Sequence, residues 1–284
     1  MKFTLALAQI DPTLGNVSKN VEKHVAFARE AQKGGAQLVV FPELSLTGYS
    51  VKDMNWDLAV NLRQDVSVFR PLLEASNSIT ILAGGIEEDE AFALYNSAFL
   101  FQGGSVTSVH RKTYPPTYGM FEEMRYFQAG NRVQAFDTPL GRMGVLICED
   151  LWHIVLPYLL AQDGAQLILT LVASPTRVAG AEKELLTDRI NAENHRAYAR
   201  LLTTYLAFCN RTGYEDGVNF WGGSAIIGPD GEVEAKAKLF DEDLIFATID
   251  DDAVRRARRF SRHFLDDDPT ILLKELGRIT NTSP

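Results

Sequence analysis

Apolar and polar positions along this chain switch repeatedly between a twofold and a helical period, which predicts strands interleaved with helices. Phe3 to Gln9 alternates like a strand, and Ser18 is placed to cap a helix running to about Lys33 and ended by Gly34-Gly35. Leu38-Val39-Val40-Phe41 is short and wholly apolar, as expected of a strand buried on both faces. A helix is predicted from Trp56 to Glu74. Strands follow near Ile79 to Ile86, Tyr95 to Phe101 and Ser105 to Arg111, the last two joined as a hairpin through Gly103-Gly104. Thr113 to Gly130 reads as a long loop rich in Pro, Tyr and Phe, and loops of that length inside a domain are usually functional. Gly35-Ala36-Gln37-Leu38-Val39-Val40 is echoed by Gly164-Ala165-Gln166-Leu167-Ile168-Leu169, which hints at two related β-α halves.

Three reactive side chains stand just past β-runs, where open α/β sheets place their ligands. Cys148 closes the run Met143-Gly144-Val145-Leu146-Ile147 and precedes Glu149-Asp150-Leu151-Trp152, on a turn into a helix. Amides opening such a helix favour thiolate over thiol. The competing reading is a buried structural cysteine packing as a small hydrophobe. Glu43 follows Phe41-Pro42, and Lys112 follows the strand from Ser105. Taken singly, each of these charged residues is a surface residue. Their joint placement points to a site.

The motifs Phe41-Pro42-Glu43-Leu44 with Gly48-Tyr49, His110-Arg111-Lys112, and Gly144 to Asp150 resemble the nitrilase superfamily of carbon–nitrogen hydrolases, which uses Glu, Lys and Cys in that order. Glu123-Met124-Arg125-Tyr126-Phe127 with Gly130 resembles the stretch carrying a second active-site glutamate. Arg189 with Glu193-Asn194, and Gly223-Ser224 through Gly231, are similar to the family's C-terminal half. The resemblance implies a four-layer αββα sandwich and pairing through an outer helical layer, for which helices at Leu156 to Asp163 and Lys183 to Leu202 are the candidates. Within the superfamily, Tyr118 to Glu123, Cys148 to Trp152 and Ala173-Ser174-Pro175 most resemble the glutaminase domain of glutamine-dependent NAD synthetases. The chain carries no Ser-Gly-Gly-x-Asp-Ser loop of their ATP-using domain, so on this reading it does not make NAD alone.

A thiol with a pKa of ~8.5 needs a base or a nearby positive charge. The resemblance makes Glu43 that base and the later acid, Lys112 the electrophilic stabiliser and Cys148 the nucleophile, with Glu123 holding Lys112 in register. The oxyanion donors expected are the Lys112 ammonium and the backbone N–H of Glu149. The side chains of Glu149 and Asp150 are expected to point away from the pocket, since negative charge beside a thiol weakens it. Pocket walls are expected from Tyr49, Tyr114, Tyr118, Phe121, Trp152 and the loop containing Ser174. His153 is read as structural or as a pocket wall.

The chain of 284 residues, 46% of them hydrophobic, is long enough for one large domain. Residues 1–260 are assigned to the hydrolase domain, and 261–284 to a C-terminal tail packed at a subunit interface. Two cysteines in apolar runs argue against a disulfide framework and for a reducing, cytoplasmic setting. No signal peptide and no apolar run near the ~20 residues of a membrane span is found. The net charge of −9 argues against a polyanion partner. The Arg255, Arg256, Arg258, Arg259 and Arg262 cluster is flanked by Asp250 to Asp252 and Asp266 to Asp268, which favours an ion-paired helix or subunit contact over nucleic-acid binding. No His or Cys spacing suggests a metal, and no cofactor is expected.

The expected activity is a thiol amidohydrolase that cleaves a non-peptide carbon–nitrogen bond of a small amide or carbamoyl compound through a Cys-acyl thioester. The alternatives are a glutaminase subunit feeding ammonia to a separate NAD-synthetase-like partner, and a silent scaffold of the same fold. A nitrile is also within reach of such a thiolate. A homodimer or higher homo-oligomer is expected.

Overall fold

The apolar runs of the sequence become the inner strands of two six-stranded sheets. The structure, a computed structural model, describes residues 1–176 and 185–281. The first half runs β1 (Lys2–Gln9), α1 (Val17–Lys33), β2 (Leu38–Val40), α2 (Asn55–Leu58), α3 (Arg70–Ala75), β3 (Thr80–Glu88), β4 (Leu94–Gln102), β5 (Ser105–Arg111) and α4 (Glu123–Tyr126). Next come β6 (Phe136–Thr138), β7 (Gly141–Ile147), α5 (Val155–Gln162), β8 (Leu167–Val172), α6 (Leu186–Leu202) and β9 (Tyr205–Asn210). The chain closes with β10 (Thr212–Glu215), β11 (Val218–Trp221), β12 (Ala225–Ile227), β13 (Val233–Lys236), β14 (Asp243–Asp250), α7 (Asp251–Phe260) and α8 (Pro269–Asn281).

One sheet has the order β14-β1-β2-β3-β4-β5 and the other β13-β12-β9-β8-β7-β6, while β10 and β11 form a separate hairpin. Leu5, Leu7 and Val40 from the first sheet pack against Val145, Ile147, Leu169 and Cys209 from the second. Each such fully buried aliphatic side chain contributes about 1.5–3 kcal/mol, so this layer holds the sheets face to face. On the outer side of the first sheet, Val21, Val25 and Ala28 of α1 and Leu72 of α3 cover Ala6, Val39 and Ile81. On the outer side of the second, Leu156 and Leu160 of α5 and Ala199 of α6 cover Leu146, Ile168 and Leu206. The result is the αββα sandwich expected.

The echoed segment marks equivalent places in the two sheets. Gly35 and Gly164 both adopt positive φ, 87° and 88°, as each chain leaves α1 or α5. Gln37 N–H then donates to Thr4 O at 2.9 Å, and Gln166 N–H to Arg142 O at 3.0 Å, which starts the parallel strands β2 and β8.

Several local expectations are corrected. The helix from Trp56 to Glu74 is broken, because Val60 bonds as a strand residue: its N–H donates to Ile86 O and its carbonyl accepts Glu88 N–H, each at 3.0 Å. Helix resumes with a 3₁₀ turn at Ser67–Phe69 that leads into α3, where Pro71 sits in the first turn. The cap of α1 is Asn16, whose Oδ1 accepts Lys19 N–H at 3.0 Å, so Ser18 lies inside the helix. The long loop contains one helical turn, α4, and the chain after Cys148 is a 3₁₀ turn rather than an α-helix. α5 is displaced by one residue from its expected span. α6 begins at Leu186, and Lys183 lies outside the described residues. Within the basic helix, Arg255 pairs with Asp252 at 2.5 Å, while Arg262 beyond it pairs with Asp266 at 3.0 Å. No helix among the described residues is long and apolar enough to cross a membrane.

Candidate active site

β2, β5 and β7 end at neighbouring places on the two sheets and deliver Glu43, Lys112 and Cys148. Past β2, Phe41 N–H still bonds to Leu82 O at 2.8 Å, after which Pro42 turns the chain. Gly84 makes room for that turn: a Cβ there would lie 2.5 Å from Leu44 N and 2.9 Å from Glu43 Cα. Lys112 is held at the strand end by its N–H to Asn96 O at 2.8 Å and by Gly130 N–H on its own carbonyl at 2.7 Å. Cys148 has a φ of 46°, a left-handed conformation that a β-substituted residue adopts only when its surroundings impose it.

Lys112 Nζ lies 2.7 Å from Glu43 Oε1 and 2.7 Å from Glu123 Oε1, with the three side chains at most 5% exposed. Asn96 Nδ2 donates to Glu43 Oε1 at 2.8 Å and to Glu123 Oε2 at 3.3 Å. Ala173 N–H donates to Glu43 Oε2 at 2.9 Å, and the Tyr49 hydroxyl to Glu123 Oε1 at 2.6 Å. Two buried carboxylates thus share one ammonium and a set of neutral donors, which is what their burial requires.

Charge follows from this arrangement. Burial by itself would lower the pKa of Lys112, but the Glu123 and Glu43 carboxylates outweigh it and hold the ammonium well above the ordinary lysine value. Burial raises Glu123, against the pull of Lys112. Burial and the Glu43 carboxylate push the Cys148 thiol well above its usual range, and Lys112 offsets only part of this. The thiol form of Cys148 is therefore favoured, against the thiolate that amides opening a helix would favour.

Cys148 opens onto a cavity of about 300 Å³ walled by Tyr118, Phe121, Glu149, Trp152, Ser174 and Pro175, with Leu186 and Ile190 of α6. Ser174 is fixed by its N–H to Asn210 Oδ1 at 2.9 Å and by Trp221 Nε1 on its hydroxyl at 3.0 Å. Tyr49 and Tyr114 stand outside this lining: Tyr49 backs Glu123, and Tyr114 stacks on His153 at 3.5 Å between ring centroids. The two acids after Cys148 part company. Asp150 turns away from the cavity and is fully buried, accepting the N–H groups of Ile147, Thr113 and Tyr114. Glu149, contrary to expectation, contributes to the cavity wall, where its Oε2 accepts the Tyr118 hydroxyl at 2.8 Å.

Sequence reading did not single out Asn96, Arg211 or Glu215, nor the holding role of Asp150. Asn96 lies in an apolar strand and was legible as a buried polar residue awaiting a partner. Among the described residues no group of three or more His, Cys, Asp or Glu is arranged to hold a metal ion.

Two sheets packed face to face between helical layers, with an acid, a lysine and a cysteine gathered at their strand ends, define a protein of the nitrilase fold. The chain belongs to the carbon–nitrogen hydrolase family, whose profile matches residues 4–259. It is 34% identical over 248 residues to a glutamine-dependent NAD(+) synthetase of Acinetobacter baylyi, a match covering 87% of this chain and 44% of that protein. The solved glutamine-dependent NAD+ synthetase of Acinetobacter baumannii is similar with a TM-score of 0.81 and 33% identity, over 89% of this chain and 47% of the other. A carbon–nitrogen hydrolase from Helicobacter pylori matches with a TM-score of 0.86 and 25% identity, over 97% of this chain and 98% of its own. The chain spans about half the length of the synthetases it matches.

Proposed function

We propose that this chain is a thiol amidohydrolase acting on a small amide, and the observation that carries the reading is the Lys112 ammonium clamped 2.7 Å from both Glu43 and Glu123 beside the Cys148 cavity. Glu43 takes the Cys148 proton as Sγ attacks the amide carbon. The oxyanion that forms is met by the third Lys112 N–H and by the backbone N–H of Glu149. Collapse breaks the carbon–nitrogen bond, Glu43 returns the proton to the departing nitrogen, and ammonia or amine leaves a Cys148 thioester. Water, deprotonated by Glu43, then adds to the thioester, releasing the acid and restoring the thiol.

The finer reading is that the amide belongs to glutamine or to a compound that also carries an ammonium group. It is supported by the Glu149 carboxylate on the cavity wall and by the similarity to glutamine-dependent synthetases. A synthetase would then be the consumer of the ammonia. A second reading, hydrolysis of another small amide or carbamoyl compound, is supported by the similarity to a carbon–nitrogen hydrolase of Helicobacter pylori. Self-association through α5, α6 and the tail fits α8, which buries no residue and exposes Ile271, Leu273, Leu276 and Ile279.

The test is ammonia release from glutamine, simple aliphatic amides and carbamoyl compounds, comparing the wild-type protein with Cys148→Ala. Release that disappears in the variant establishes the amidohydrolase, and the preferred compound decides between the two readings. Release that persists in Cys148→Ala refutes the assignment.

A further inference from the structure

Against the backbone of Tyr49 and Ser50 lies an ion pair that the chemistry above does not use. Arg211 follows β9 with its side chain fully buried, and Nη1 donates to Glu215 Oε2 at 2.6 Å. The guanidinium carbon sits 4.2 Å from the centroid of the Phe220 ring. Burying such a pair costs about as much in desolvation as the attraction returns, so it is a poor source of stability and calls for another account. The remaining Glu215 oxygen supplies one. Oε1 accepts two successive backbone N–H groups, from Tyr49 at 2.8 Å and Ser50 at 2.6 Å, across more than 160 residues of sequence.

The segment so held has little freedom. Gly48 has a φ of 85°, and a Cβ there would meet Leu14 Cα at 2.8 Å and Glu215 Oε2 at 2.9 Å, so the chain passes directly over the carboxylate. The Tyr49 ring then packs edge-on against Phe220, the ring that also carries Arg211, with centroids 6.1 Å apart. Its hydroxyl ends 2.6 Å from Glu123 Oε1, the oxygen that holds Lys112. We propose that the buried Arg211–Glu215 pair is a positioning device for Glu123 and Lys112, acting through the backbone of Tyr49 and its hydroxyl. The pair comes from the second half of the chain and braces the loop after β2 in the first, so it also fixes the two halves of the site relative to one another. The inference rests on the proposed roles of Lys112 and Cys148.

The test reads the Cys148 environment directly, with iodoacetamide as the probe and mass spectrometry of the Cys148 peptide as the readout. It therefore does not depend on which amide is the substrate. Cys209, buried between the sheets, serves as the internal check that the fold is intact. Glu215→Gln, Tyr49→Phe and the double variant are compared with wild type across pH. With Lys112 less well placed, the alkylation profile of both single variants moves to higher pH, and the rate at pH 8 falls about tenfold. Because both changes act on one path, the double variant falls no further than the worse single one. Multiplicative losses in the double variant, or an unmoved profile in Glu215→Gln with Cys209 still protected, would overturn the proposal. Should Glu215→Gln unfold, Glu215→Gln combined with Arg211→Met removes both charges and is read against Tyr49→Phe by the same criterion. If the profile moves as described but no amide is hydrolysed, the positioning role stands and the amidohydrolase reading fails.

Discussion

Asp150 Oδ1 accepts the backbone N–H of Tyr114 at 2.9 Å, and this contact ties the turn that carries Cys148 to the loop that leaves Lys112. The same oxygen takes Thr113 N–H at 3.0 Å, while Oδ2 takes Ile147 N–H at 3.1 Å, within its own turn. Strands β5 and β7 belong to different sheets, so one buried carboxylate bridges the two halves of the site. Asp150→Asn loses an acceptor oxygen and sets an amide N–H against a backbone N–H. The expected result is a loss of about 2 kcal/mol in urea unfolding and a fall in kcat larger than the change in KM. Unchanged stability would mean the three N–H groups find other partners.

Gly84 is where backbone meets backbone beneath Glu43. Gly84→Ala places a methyl 2.5 Å from Leu44 N and 2.7 Å from Pro42 O, neither of which is the end of a flexible side chain. The turn must shift, at a cost of about 1–3 kcal/mol, and Glu43 with it. If the proposed function holds, amide hydrolysis falls at least about tenfold. At the adjacent Gly85 the first contact, at 3.0 Å, is with the Phe99 ring, and Gly85→Ala should retain more activity.

Removing the shared ammonium isolates two acids. In Lys112→Met, Glu43 and Glu123 would be buried without their cation, so one must take up a proton, and the protein should lose about 3 kcal/mol of stability. On the proposed mechanism, in which Lys112 is a principal oxyanion donor, turnover drops by about a thousandfold. Lys112→Arg should not rescue it, because a planar guanidinium cannot occupy the point between the two carboxylates.

Glu149 separates the two substrate readings. Under the glutamine reading, Glu149→Gln raises KM for glutamine about tenfold and leaves KM for a neutral aliphatic amide within about twofold, since only the former loses a charged partner. An equal effect on both would assign Glu149 to holding Tyr118 and not to recognising an ammonium group.

Two buried imidazoles set an acid limit on stability. Burial lowers His24 to about 4 and His195 to about 3. Both are neutral in the folded protein and protonate near 6.5 when it unfolds. Stability is therefore fully present above pH 6.5 and is lost as pH falls toward the folded values, by about 2 kcal/mol for each group at pH 5. His24 Nδ1 bonds to Asn20 O at 2.7 Å and Nε2 to the Ser45 hydroxyl at 2.9 Å, two residues beyond Glu43, so activity should fail in the same pH window. Urea midpoints from pH 8 to 5 check this, and His195→Gln should flatten the decline by about one group's share.

What the sequence determined by itself was local. Strand-like runs of the right length marked β1 to β5 and β7. The residues ending β2, β5 and β7 were legible as an acid, a lysine and a thiol, because a strand's period and its stopping point are properties of a few adjacent residues. The repeated Gly-Ala-Gln segment likewise announced two equivalent helix-to-strand turns. The tertiary structure decided whatever depended on a partner far along the chain. Val60 left its helical pattern because the edge of β3 offered its backbone a bond. Glu149 and Asp150, adjacent and alike in charge, went to opposite sides because Asp150 alone could reach the free N–H groups of residues 113 and 114. Arg211 and Glu215 were unremarkable in sequence, and their task exists only because β10 passes under Gly48. Periodicity encodes which way a side chain faces its own element; which donor waits on the other side is settled by how the sheets pack.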